Sequence, residues 1–226
     1  MSSDSSMKNS LTMPVVRIGS YTLAAQALHW ITAALMFTLV LLAWVMVNMP
    51  RTAANRELIY TLHKSLGLTV LAPVAARLFW RAIHPAPPLP GSLAQWERAS
   101  AALSHWLLYL IMIGMPLSGY LFSAWGGHAI TYFGLFTLPG LAKNDTLQHV
   151  ASWAHVAIGQ WLTYALILIH IGATGWHVAV RRDGVLFRML PEQNSDPTGV
   201  LTEGYPCHVG AGARQSSPSC CSASNH

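Results

Sequence analysis

Between Arg17 and Arg51 the chain carries no Lys, Arg, Asp or Glu. Its interior reads TLAAQALHWITAALMFTLVLLAWVMV, long enough as a helix to cross the ~30 Å hydrocarbon core of a bilayer. Three further apolar stretches follow, at about Ile59–Trp80, Ser100–Phe122 and Ser152–Val180. Lys64 and Arg77 lie near the ends of the second, where their stems can snorkel to the interfaces. Pro73 and Pro116 lie inside the second and third spans, as lipid-embedded helices tolerate. The first stretch is too long for the apolar region of a cleaved signal peptide, and no A-x-A site closes it before Pro50. The reading is an all-α, membrane-embedded four-helix bundle, multi-pass, with lipid as its main surroundings.

Composition agrees. Only 9% of the 226 residues are charged, where a soluble domain carries roughly 25%. The formal charge of +5 comes from basic residues scattered along an apolar chain rather than gathered in a patch, which argues against nucleic acid. Near the spans, Lys8, Arg17, Arg77, Arg81, Arg98, Arg181, Arg182 and Arg188 fall on one side, and Arg51, Arg56, Lys64 and Lys143 on the other. The positive-inside bias therefore expects both termini in the cytoplasm. Residues 1–20 are expected to form a cytoplasmic N-terminal segment, 21–191 the membrane domain and 192–226 a disordered cytoplasmic tail. The outer connection from Ser123 to Ala151 is rich in aromatics and is expected to lie partly along the membrane surface.

The tail holds all three cysteines, Cys207, Cys220 and Cys221. In the cytoplasm they are expected to be reduced thiols, and their spacing with His208 and His226 matches no standard zinc pattern.

Five of the eleven histidines fall within or near the ends of spans: His29, His63, His105, His155 and His170. A single one reads as a neutral imidazole bonded to a neighbouring helix; five in one small bundle ask for a job. Depth sorts four of them into pairs, His29 with His170 towards the inside and His63 with His155 towards the outside. On the fourth span, fifteen residues separate His155 from His170, ~22 Å along a helix and about 60° beyond four full turns. Two imidazoles meeting from opposite helices at one depth are what a bis-histidine haem needs, and two such levels make an electron path. There is no CxxCH, so the haem would be of the non-covalent b type. Zinc or copper ligands would instead cluster at one depth, and a proton relay would want acids that the spans lack.

The pieces ALHW around His29, LHKSLGLTVLAPVAARLFWR with HPAPPLP around His63, HWLLYLIMIGMPLSGY, YFGLFTLP and IH…H…RRDGVLFRMLP together resemble the prokaryotic cytochrome b-561 family. The resemblance covers about Tyr21 to Pro191. It implies a dihaem cytochrome of the bacterial inner membrane with two haem b groups. His29, His63, His155 and His170 would be the axial ligands to the haem irons, with ubiquinone as electron acceptor or donor. Such proteins usually space the two fourth-span histidines by fourteen residues; the fifteen found here call for a small bulge or a shifted helix start. His105 matches a third-span histidine of the family but has no partner left, and is read as a packing or hydrogen-bonding residue. His177 reads as an interface histidine, or as a contact to a propionate or quinone. Arg77, Arg81 and Lys64 read either as propionate partners or as interface anchors.

The implied function is transmembrane electron transfer linked to the quinone pool. Some family members oxidise superoxide, and Arg51, Arg56 and Lys64 would give the outer mouth positive charge to steer it. The competing reading is a non-catalytic anchor cytochrome between a dehydrogenase or hydrogenase and quinone, with an unidentified redox partner. A third reading is a membrane metal transporter.

Overall fold

The computed structural model describes residues 19–191 except 90 and 92. The expectations for Lys8, Arg17, Cys207, Cys220, Cys221, His208 and His226 lie outside the described residues. Among the described residues, four helices are long and apolar enough to cross a membrane: α1 (Leu23–Asn48), α2 (Arg56–Ile83), α3 (Gln95–Trp125) and α4 (Asp145–Arg181). The chain is a helical membrane bundle. The first helix coincides with its apolar stretch, whereas α2, α3 and α4 start three to seven residues ahead of theirs, because polar caps and interfacial residues continue them beyond the hydrocarbon. Thr22 caps α1 by accepting from the Ala25 amide at 3.3 Å. Glu97 reaches back from the first turn of α3 to accept the Ala94 amide at 2.7 Å. Asn144 accepts the Leu147 amide at 3.0 Å and starts α4 well ahead of its apolar run. Pro73 and Pro116 are accommodated within continuous helices.

The surface is inverted relative to a soluble bundle. Leu41, Trp44, Phe79, Trp106, Leu110, Trp161 and Leu168 are exposed, each more than 60%, as a face turned to lipid requires. Buried positions include Gln26, Thr32, Ser65, Thr163 and Arg188. Thr32, Thr69, Thr163 and Thr174 return their hydroxyls to the carbonyl four residues earlier, so none is left unsatisfied in an apolar medium. The tightest core joins α2 and α3 through Val70, Val74, Tyr109 and Met112, with Leu35, Met36 and Leu39 of α1 packed against it.

Two features depart from the simple helical expectation. Between α3 and α4, β1 (Ile130–Tyr132) and β2 (Phe136–Leu138) form a small antiparallel hairpin with Thr131 opposite Thr137. Its turn places Phe133 and Gly134 at positive φ. The hairpin is pinned to α2: the Ser65 hydroxyl accepts the Phe133 amide at 3.0 Å, and Tyr132 and Thr69 hydroxyls lie 2.9 Å apart. The second departure lies within α4, where Trp153–Gly159 and His177–Arg181 are π-helical. A turn closed i→i+5 holds one residue more than a turn closed i→i+4. The first of these segments carries His155.

After α4 the chain turns at Arg182, in the left-handed region, and a short 3-10 turn (Leu186–Met189) brings it back to the start of α1. The Tyr21 amide donates to the Arg188 carbonyl at 3.1 Å, so both ends of the membrane domain meet at one end of the bundle. Arg188 is only 3% exposed. Its guanidinium donates to the carbonyls of Gly19 at 3.0 Å, Pro87 at 2.7 Å and Pro88 at 3.1 Å. The proline-rich loop leaves carbonyls that few nearby amides can satisfy, and the fork of an arginine supplies the donors.

Candidate functional site

The histidines sorted by depth come together in two places. At the end where α1 begins, the ring centres of His29 and His170 lie 6.2 Å apart, with planes inclined at 58°. At the other end, His63 and His155 are also 6.2 Å apart, their planes at 83°. Between the two levels stands the apolar core: along α2 the order is His63, Val70, Val74, Arg77. The two sites are therefore separated by a layer whose buried cluster is apolar, with the hydroxyls of Thr32 and Thr163 turned back to their own helices.

His155 is held from several sides. Its Nδ1 lies 2.9 Å from the Met115 carbonyl and 3.3 Å from the Ser118 hydroxyl, both on α3 just around Pro116. Donating Nδ1–H to a carbonyl fixes the tautomer and leaves Nε2 free as a metal donor. The π-helical turn accounts for its phase. With one residue taken up by the wider turn, the fifteen-residue interval to His170 acts as fourteen, about 40° short of four full turns. The bulge is thus the device that reconciles the longer spacing with an inward-facing ring.

His29 Nδ1 and His63 Nδ1 are buried and have no hydrogen-bond partner. Both rings thus bring uncommitted nitrogen into the interior, where an unsatisfied polar group is costly.

His105, left unpaired by sequence, joins the level of His29 and His170: its ring centre is 5.6 Å from that of His170, edge to face. Its Nδ1 is 2.6 Å from the Ala101 carbonyl of its own helix. Next to it, a cavity of about 180 Å³ is lined by Arg77, Arg81, Arg98, His105 and Tyr109, among others. The Arg77 guanidinium sits 5.5 Å from the Tyr109 ring centre. His177 is engaged elsewhere, with Nδ1 2.6 Å from an Asp183 carboxylate oxygen. At the end carrying His63 and His155, Arg56 is tied to the Met49 carbonyl at 3.1 Å and the Tyr60 hydroxyl at 2.7 Å. Lys64 is half-buried, with no ion pair among the described residues. Among the described residues, no group of three or more His, Cys, Asp or Glu side chains is placed to hold a metal ion. Two imidazoles meet at the level of His63, and three gather at the level of His29, where His170 touches both His29 and His105.

Sequence reasoning missed the Met115 carbonyl and the contact between His105 and His170. The first had no direct signal, because Pro116 lacks the amide that would bond the Met112 carbonyl, four residues earlier, and not that of Met115. The second had no signal, since the rotation of α3 about its own axis is set by packing.

The sequence profile of the prokaryotic cytochrome b561 family matches residues 20–192. The chain belongs to the prokaryotic cytochrome b561 family. It is similar to cytochrome b561 homolog 2 of Escherichia coli strain K12, with 31% identity over 178 residues, 78% of this chain and 94% of that one. Cytochrome b561 homolog 1 of the same organism is 25% identical over 74% of this chain and 94% of its own length. A Yersinia pestis protein named probable superoxide oxidase CybB is 25% identical, over 76% of this chain and 97% of its own. As a cytochrome b561, the protein is a multi-pass membrane electron carrier that uses b-type haem.

Proposed function

We propose that this cytochrome holds two b-type haems, one between His29 and His170 and one between His63 and His155, and carries electrons across the bacterial inner membrane to quinone. The observation that carries the reading is the equal 6.2 Å separation of the two pairs at opposite ends of an apolar core. Two imidazoles on opposite faces of one iron, each nitrogen ~2 Å from the metal, have ring centres ~6.3 Å apart. Both pairs fit that requirement. The 5.6 Å contact of His105 with His170 is shorter than two imidazoles on opposite faces of one iron require, and its Nδ1 is engaged by Ala101, so His105 is assigned as a neighbour of the ligand pair and not a member of it. Bound at these two levels, the haems supply one-electron carriers on each side of the membrane.

The protein's own residues hold and insulate. His155 is kept in one tautomer by Met115, and Val70, Val74, Tyr109 and Met112 exclude water between the levels. Arg77 and Arg81 at the inner level and Lys64 at the outer one are assigned to the propionates, whose charge would balance cations that have no ion pair among the described residues. The end carrying Arg77, Arg81, Arg98, Arg181, Arg182 and Arg188 is assigned to the cytoplasm by the positive-inside bias, and with it both ends of the membrane domain.

Superoxide is the electron donor assigned to the outer face, in keeping with the name of the Yersinia relative and with Arg51, Arg56 and Lys64 at that end. Two superoxide ions each give up one electron and leave as dioxygen, and one ubiquinone takes up both electrons with two protons. The test is ubiquinone reduction by the purified single chain under a superoxide source. Catalysed reduction supports the enzyme. Inertness toward superoxide, together with co-purification of a dehydrogenase or hydrogenase subunit, supports an anchor cytochrome instead.

A further inference from the structure

On α3, Gly119 is where the His155 ring comes to rest. A Cβ built on Gly119 would lie 2.8 Å from Cε1, 3.1 Å from Nδ1 and 3.4 Å from Nε2 of that ring. All three atoms belong to the same edge, so a methyl group there would press on the ring itself. The ring has little freedom to yield, because its Nδ1 is engaged by Met115 and its backbone sits in the π-helical turn. The far side of the same arrangement repeats the requirement. A Cβ on Gly159, the last residue of that turn, would collide with the Met115 sulfur and the Ala154 carbonyl oxygen. Met115 is thus packed against Gly159 while its carbonyl meets His155, and Gly119 borders the ring one helical turn further along α3. By contrast, a Cβ on Gly114, on the same helix, would meet nothing within 4 Å.

We infer that Gly119 is a positioning residue for the outer haem: by lacking a side chain it lets the His155 ring lie across α3 and sets the angle of the ring plane against His63. That angle is 83°, close to perpendicular, whereas the inner pair stands at 58°. The relative orientation of two axial imidazoles governs the splitting of the iron d orbitals. The outer haem's low-spin EPR signal and midpoint potential therefore report it directly, apart from any effect on folding. The inference rests on the assignment of His155 as an axial ligand.

The experiment compares Gly119→Ala, Gly114→Ala and His155→Ala in the purified haem-loaded protein. The readouts are haem per chain, EPR of the oxidised protein and a redox titration resolving the two haems. The expected result is a displaced EPR gmax and potential for the outer haem in Gly119→Ala, or loss of that haem alone, with the inner haem unchanged. Gly114→Ala is expected to match wild type in every readout. If Gly119→Ala matches Gly114→Ala while His155→Ala loses the outer haem, this inference is overturned and the ligand assignment stands. If Gly119→Ala loses both haems, the effect is not confined to the outer ligand and the inference is likewise overturned. If His155→Ala keeps both haems, the ligand assignment itself has failed.

Discussion

The imidazole of His155 and that of His63 approach to 6.2 Å from two helices that are ninety-two residues apart in sequence, and a π-helical turn at His155 makes the meeting possible. Were the same residues wound as regular α-helix, without the wider turn, the ring would be phased about 100° away from its present direction relative to the rest of α4. The bulge is therefore part of the site, as π-helical turns often are.

Removing the bulge should be tolerated where removing an ordinary helical residue is not. Deleting Ala157 lets the turn close as α-helix while keeping His155 and His170 in phase, so the deletion variant should retain both haems. Deleting Leu166, in the α-helical part of α4 between the two histidines, leaves the bulge in place and turns one ring by ~100° relative to the other. That variant should lose a haem. Reduced-minus-oxidised spectra of the two purified variants make the comparison.

Substitution should separate ligands from neighbours. His29→Ala and His170→Ala should each remove the inner haem, and His63→Ala and His155→Ala the outer one, because each iron needs both axial nitrogens. His105→Ala should keep both haems, its ring being satisfied by Ala101 and only resting on His170. Loss of the inner haem in the His105 variant, with normal spectra for His29→Ala, would reassign that site.

Arg188 ties three segments together from a buried position, so its loss should cost stability rather than chemistry. Arg188→Ala leaves the carbonyls of Gly19, Pro87 and Pro88 without their donor. A loss of about 3 kcal/mol is expected, the order found for breaking a buried charged hydrogen-bond network. Arg188→Lys should recover only part of it, since an ammonium lacks the planar fork. Thermal unfolding in detergent, followed by haem absorbance, measures both.

Much of this architecture was legible in the sequence, and the reasons for the rest are specific. The four spans showed because charge is excluded from hydrocarbon, and the histidine pairs because depth along a span can be counted. The hairpin did not show: its strands are three residues long, and its turn uses Phe133 at positive φ where Asn or Asp would have been the signal. The early start of α4 is written in Asn144 and Asp145, a capping pair hidden by the aromatic loop before it. Arg188 read as one more basic residue near a membrane end. Its burial depends on a proline-rich loop some hundred residues earlier in the chain.

If superoxide is the donor, the outer cations should matter through their field. Neutralising Arg51, Arg56 and Lys64 together should slow superoxide oxidation by about tenfold at low salt, and added salt should slow the wild type, because such steering is screened over ~8–10 Å at physiological ionic strength. Arg56 contributes its charge even while bound to Met49 and Tyr60. Reduction of quinone from an artificial donor should change far less. Superoxide rates indifferent to both salt and the triple substitution would remove the steering argument.

The central claim is two bis-histidine haems in one chain, and a pyridine haemochrome assay on the purified protein, with protein quantified by amino-acid analysis, tests it most directly. The account predicts about two b-type haems per polypeptide, one for each histidine pair. A value near one would leave one of the pairs at 6.2 Å without a role, and a value near zero would contradict the account altogether.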